Sequence, residues 1–118
     1  GVLDVTDYPE VAELLLACDA LVSDYTSLVL DAALTGTPTV LHVPDAPEVR
    51  RLRPALIDVT ELGTGPTVTT TVEVTEALDD LPTLARDHEG ARREVVARFH
   101  RHADGHAAER AAAAVLSS

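Results

Sequence analysis

The chain has one cysteine, two tyrosines and one phenylalanine, and neither tryptophan nor methionine. A single thiol, Cys18, cannot close an internal disulfide, so a hydrophobic core and hydrogen bonds must hold the fold, and the thiol fits a reducing compartment. Lysine, asparagine and glutamine are absent, and all nine bases are arginine. Twenty acids against these nine leave a formal charge of −11. A nucleic-acid or anionic-membrane binder shows a basic face, so no nucleic-acid partner is expected. The longest apolar runs, Leu14 to Ala17 and Ala111 to Leu116, fall far short of the roughly 18 residues that a membrane helix needs. No basic, then apolar, then small-residue signal pattern is read at the start of this sequence. There is no glycine-rich phosphate loop, no Gly-x-Ser-x-Gly and no His-Glu-x-x-His.

What is present describes one globular domain: 118 residues, 46% hydrophobic and 25% charged. Because the chain starts at Gly1 on an apolar run, it is expected to be a piece of a longer protein. Val2 to Val5 reads as a buried strand. Asp7-Tyr8-Pro9-Glu10 signals a helix start, followed by Val11, Leu14, Leu15 and Cys18 at helical spacing. Cys18 is expected to be buried and inert. Ala20 to Ser23 reads as a second strand, expected to be buried on both faces. After the polar break Asp24-Tyr25-Thr26-Ser27, a helix carries Leu28, Ala32 and Leu34 until Gly36 stops it. Pro38 to Val43 reads as a third strand. The order β-α-β-α-β argues for an α/β fold, a Rossmann-like parallel sheet with flanking helices.

The rest is more irregular. Asp45 to Pro66 is rich in Pro, Arg and Gly, with a short strand expected at Ala55 to Val59. Thr70 and Glu73 have capping-box spacing, ahead of a helix to about Leu78. Pro82 is expected to open a longer helix through Ala91, Val95 and Phe99. Asp104 can cap a final alanine-rich helix to Leu116, giving a helical C-terminus.

The junction Ser23-Asp24-Tyr25-Thr26-Ser27 is the best candidate site. It follows a strand and precedes a helix, and in open parallel sheets ligands bind outside the carboxyl ends of strands. A helix N-terminus there presents unpaired N–H groups and partial positive charge, which suits phosphate. Thr26 and Ser27 add hydroxyl donors without a lysine. The ordinary reading of such residues is a helix N-cap. Asp31, one turn after Ser27, shares its edge and could accept hydrogen bonds from a ribose diol; a solvated first-turn acid is the plainer reading. His42 falls at the ligand edge of the sheet. His100, His102 and His106 do not share one helical face, Asp104-Gly105 interrupts them, and no metal site is expected.

The series Asp7-Tyr8-Pro9, Glu13-Leu14-Leu15 and Cys18-Asp19-Ala20-Leu21-Val22-Ser23-Asp24-Tyr25-Thr26-Ser27 with Asp31 resembles the C-terminal part of CDP-glycerol glycerophosphotransferases, the teichoic-acid polymerases and primases. Pro44-Asp45, Ile57-Asp58, Gly65-Pro66, the helix from Thr69 to Leu78, Arg98-Phe99 and Asp104-Gly105-x-Ala107-x-x-Arg110 continue the resemblance in order. It covers nearly the whole chain.

The resemblance implies a partial C-terminal domain of a GT-B fold that holds the donor nucleotide, with residues 1–118 as the donor-binding subdomain. It implies transfer of glycerol phosphate from CDP-glycerol to a lipid-linked acceptor, with no cofactor, in the cytoplasm at the inner face of the cell membrane. Thr26 and Ser27 match the family's hydroxyl pair at the donor diphosphate, and Asp31 matches the acid that reaches the ribose in related GT-B enzymes. The family's catalytic histidines lie upstream, and none of the five histidines here takes their place. This segment alone is therefore expected to be inactive. Two other readings stay open: a GT-B transferase using a nucleotide sugar, and a non-catalytic nucleotide-binding or interaction domain.

Overall fold

A computed structural model describes residues 1–118. Three parallel strands lie in the order β1-β2-β3: β1 (Leu21–Ser23), β2 (Thr39–His42) and β3 (Thr67–Val68). Leu21 pairs with Thr39, Ser23 with Leu41, and His42 with Val68. Helices α1 (Val11–Ala17), α2 (Leu28–Thr35) and α3 (Ala46–Leu52) come before β3, and α4 (Thr71–Leu78), α5 (Leu81–Asp87), α6 (Glu89–Phe99) and α7 (Ala107–Leu116) follow it. The expected parallel α/β architecture with a helical C-terminus is what the chain forms.

The central strand β2 organises the core, because alternate side chains leave opposite faces of a strand. Leu41 packs with Val29 of α2 and Val59, and Leu62 closes that cluster. Val40 packs on the other side with Val68 and Leu84, supported by Val74, Ala77, Leu78 and Leu81. β2 is thus buried on both faces, as the middle strand of a layered α/β sheet must be. β1 is not. Val22 keeps 44% of its surface exposed, while Leu21 and Ser23 are half-buried. The expectation of double burial fails there because β1 is an edge strand.

Other expectations are corrected too. Val2 to Val5 forms no strand; Val2 and Leu3 are fully or nearly fully exposed, since a four-residue apolar run needs a neighbouring strand to pair with. The first helix starts at Val11, leaving Pro9 outside it. Ala55 to Val59 is not extended: Asp58 caps a 3₁₀ turn over Val59–Glu61, its carboxylate accepting from the Thr60 N–H. The helix expected from Pro82 to Phe99 is two helices, α5 and α6, that meet at His88. The strand expected at Pro38 to Val43 is β2; the sheet's remaining strand is the two-residue β3, which the sequence did not suggest, and the irregular stretch after Asp45 contains α3.

Local chemistry accounts for the boundaries that held. Gly36 ends α2 at φ +73°, a left-handed conformation that glycine adopts without Cβ strain. The Thr70 hydroxyl accepts from the Glu73 N–H at 3.2 Å and donates to the Glu73 carboxylate at 2.8 Å, fixing the start of α4. Asp104 does not itself cap α7, which starts after His106. Its carboxylate takes the His106 N–H at 3.0 Å and two bonds from Arg110 at 2.8 Å, tying down the approach to the helix. Gly65 sits against β2 so closely that a Cβ would fall 1.8 Å from the Thr39 carbonyl oxygen. Helix α6 packs across α2, and His100 at its end bonds through Nε2 to the Leu30 carbonyl at 2.8 Å.

Candidate functional site

β1 delivers the chain to the carboxyl edge of the sheet at Ser23, and residues 24–27 turn it into α2. Ser27 precedes the helix with φ −65° and ψ −9°, and its side chain makes no capping bond. Thr26 does not cap either; its hydroxyl lies 3.2 Å from Ser23 Oγ. The amide N–H groups of Thr26, Ser27 and Leu28 donate to nothing within the chain. Their first backbone acceptors are engaged: Leu30 N–H donates to the Ser27 carbonyl at 2.9 Å and Val29 N–H to that of Thr26 at 3.4 Å. The turn therefore offers free donors at the positive end of an eight-residue helix. The plain capping reading of Thr26 and Ser27 finds no hydrogen bond to support it.

Next to this turn lies an open cleft of about 400 Å³ lined by Val22, Ser23, Asp24, Thr26, Leu28 and His42. Of the residues singled out from the sequence, Ser23, Asp24, Thr26 and His42 are in its wall. Ser27 and Asp31 are exposed and do not line it, and the Asp31 side chain makes no hydrogen bond or ion pair. His42 joins the cleft because parallel pairing of Ser23 with Leu41 sets the next residue of β2 at the same edge. The ligand-edge position expected of His42 from the sequence is where the structure puts it, and the register adds that it shares a cleft with Thr26. The cleft holds one carboxylate, Asp24, and no arginine, so the donors on offer there are neutral hydroxyls and the helix end.

Tyr25 faces away from this cleft. Its hydroxyl donates to Asp45 Oδ1 at 2.8 Å, linking the β1–α2 turn to the start of α3. Desolvation, with the Asp45 hydrogen bond and charge, pushes the phenol up to about 12, so it stays a donor. Cys18, expected to be buried, is exposed at the end of α1; that helix buries only Leu15.

Across residues 1–117 the sequence matches the family model of CDP-glycerol:poly(glycerophosphate) glycerophosphotransferase. The chain belongs to this family. It is 30% identical over 110 residues, 92% of its length, to the teichoic acid glycerol-phosphate transferase of Staphylococcus aureus (strain NCTC 8325 / PS 47), of which it covers 28%. It is 34% identical over 79 residues, 66% of its length, to the teichoic acid poly(glycerol phosphate) polymerase of Bacillus subtilis (strain 168), of which it covers 11%. Its fold superposes on the wall teichoic acid polymerase TagF with a TM-score of 0.83 at 23% identity, covering 98% of this chain and 28% of that one. The glycerophosphotransferase segment described here thus spans less than a third of each of these relatives.

Its other four histidines lie outside the cleft. His88 Nδ1 lies 3.0 Å from the Gly63 carbonyl, and His106 Nδ1 lies 3.2 Å from Glu109. No helix is long and apolar enough to cross a membrane.

Proposed function

We propose that this chain is the donor-binding C-terminal part of a GT-B glycerophosphotransferase that takes CDP-glycerol. The observation that carries the reading is the β1–α2 turn. Three free N–H groups and two uncapped hydroxyls stand at a helix N-terminus, in a chain whose family is described by that donor. Thr26 and Ser27 would donate to the diphosphate. Asp31, one turn further along α2, would accept from the ribose hydroxyls. His42 lies within the same cleft as Thr26.

In the whole enzyme, an acceptor hydroxyl attacks the phosphorus that bears glycerol. The bond from that phosphorus to the bridging oxygen breaks, CMP leaves with the electron pair, and the hydroxyl proton passes to a base. The residues here act on the leaving side, where negative charge grows on the departing phosphate. Donors held in place before the reaction stabilise that charge without reorganising. The base is proposed to lie outside this segment, so the segment alone binds donor without turning it over. The acceptor is proposed to be lipid-linked, and the enzyme to work at the inner face of the membrane.

Titrating the wild-type chain and the Thr26→Val/Ser27→Ala double variant with CDP-glycerol and with a UDP-sugar tests the reading. Preferential binding of CDP-glycerol that the double variant weakens is the expected result. Equal or tighter binding of the UDP-sugar would favour a sugar transferase, and binding of neither a non-catalytic domain.

A further inference from the structure

On the far side of the donor turn lies a second, more enclosed pocket of about 240 Å³. Its walls include Tyr25, Arg50, Arg53, Pro54, Ile57 and Asp58. Tyr25 and Thr26 are consecutive, yet each lines a different cavity, so the turn separates the two. A donor held on the Thr26 side leaves the Tyr25 side vacant for another molecule.

The charges of this second pocket are nearly all committed. Asp58 takes the Arg50 Nε–H at 2.9 Å and both the N–H and hydroxyl of Thr60. Arg50 also donates to the Thr60 hydroxyl at 3.1 Å. The Tyr25 hydroxyl is spent on Asp45. Arg53 is the exception, with no carboxylate or other hydrogen-bond partner. Five of the nine arginines, at 50, 51, 86, 93 and 110, reach a carboxylate. Arg92 is buried and donates to the Ala85 carbonyl, Arg98 lies over the Phe99 ring, and Arg101, though also unpaired, is exposed after α6 and lines no part of this pocket. In a chain with twenty acids, a guanidinium left unpaired in a pocket next to the donor turn is a free anion receptor.

We propose that Arg53 receives a phosphodiester anion of the acceptor chain. The hydrocarbon walls, Pro54 and Ile57 among them, flank the polyol carbons on either side of that phosphate. This rests on the donor reading above, since it is the donor that fills the other side of the turn. Arg53 would bind substrate and orient its terminal hydroxyl, taking no part in proton transfer.

The test uses the full-length enzyme that carries this segment, with Arg53→Ala and Arg53→Lys variants and a soluble glycerol phosphate oligomer as acceptor. Arg53→Ala should raise the acceptor KM by roughly tenfold or more, the scale of a lost charge-assisted hydrogen bond. CDP-glycerol affinity and melting temperature should stay at wild-type values, because the exposed Arg53 side chain makes no hydrogen bond or ion pair and its backbone bond to the Val49 carbonyl survives the change. Arg53→Lys should recover part of the loss, keeping the charge without the planar fork. An unchanged acceptor KM beside normal donor binding would overturn this proposal alone. A rise in donor KM and loss of CDP-glycerol affinity, with acceptor KM unchanged, would assign Arg53 to the donor and overturn it too. Absence of CDP-glycerol binding in the wild type would overturn the donor reading and this proposal together.

Discussion

At Ser27 a cap and a ligand donor would behave differently. Its hydroxyl makes no bond to the helix it precedes, so Ser27→Ala should leave the melting temperature nearly unchanged. In the full-length enzyme the same change should lower kcat/KM with CDP-glycerol by one to two orders of magnitude, since a hydrogen bond to a charged group contributes roughly 1.5–3 kcal/mol. Asp31→Ala should appear mainly as a raised KM, because a ribose contact does not change along the reaction. Parallel melting and steady-state measurements separate these effects. Asp58 makes a third residue-scale prediction. The Thr60 hydroxyl and N–H, with Arg50, hold its carboxyl below the usual range. A carboxyl with a depressed folded pKa stabilises the fold above its unfolded value, near 4, and loses that contribution as pH falls through the folded pKa. Urea midpoints between pH 7 and pH 3 should therefore fall more steeply for the wild type than for Asp58→Asn. Thr26 and Ser27 were visible in the sequence as a polar break between two apolar segments. His42 was visible as the end of a strand at the ligand edge; the Tyr25–Asp45 bond was not, because it depends on how the β1–α2 turn meets the start of α3.

Elements whose ends carry their own chemistry were the legible ones. Thr70 and Glu73 announce α4 and Gly36 ends α2, but the buried face of α2 is Val29, Ala32 and Ala33, with Leu34 left exposed against the sequence expectation. Thr70→Ala should cost about 1 kcal/mol, read as a lower urea midpoint with unchanged slope. Elements defined by their neighbours were illegible. β3 is two residues long and exists only because Leu41 N–H and Val43 N–H donate to Pro66 and Val68 carbonyls, at 2.9 and 2.8 Å. Val2 to Val5 has a strand's composition and nothing to pair with. The join of β3 to β2 gives the harshest test. Gly65→Ala sets a methyl 1.8 Å from the Thr39 carbonyl oxygen, a backbone atom that cannot swing aside. Loss of about 3 kcal/mol or more, or failure to fold, is expected; a melting curve like the wild type's would contradict the close approach.

The molecule as a whole is less compact than its length allows. Its radius of gyration is 16.3 Å, against about 13.5 Å for a compact domain of this length. Only 16 of 118 residues are buried, and every residue of α7 is exposed. β1 leaves one backbone edge open next to the half-exposed Val22, the arrangement that recruits another strand. The isolated chain should therefore melt broadly and self-associate as concentration rises, despite its net charge; sedimentation and calorimetry on one sample check both. A sharply melting monomer at high temperature would contradict this. The donor assignment is tested most directly by titrating CDP-glycerol against the 118-residue chain and following the backbone amides by NMR. The account predicts saturable shifts centred on Thr26, Ser27 and Leu28, lost in the Thr26→Val/Ser27→Ala variant. Saturable binding that leaves those amides unmoved, or binding that the double variant retains in full, would contradict it.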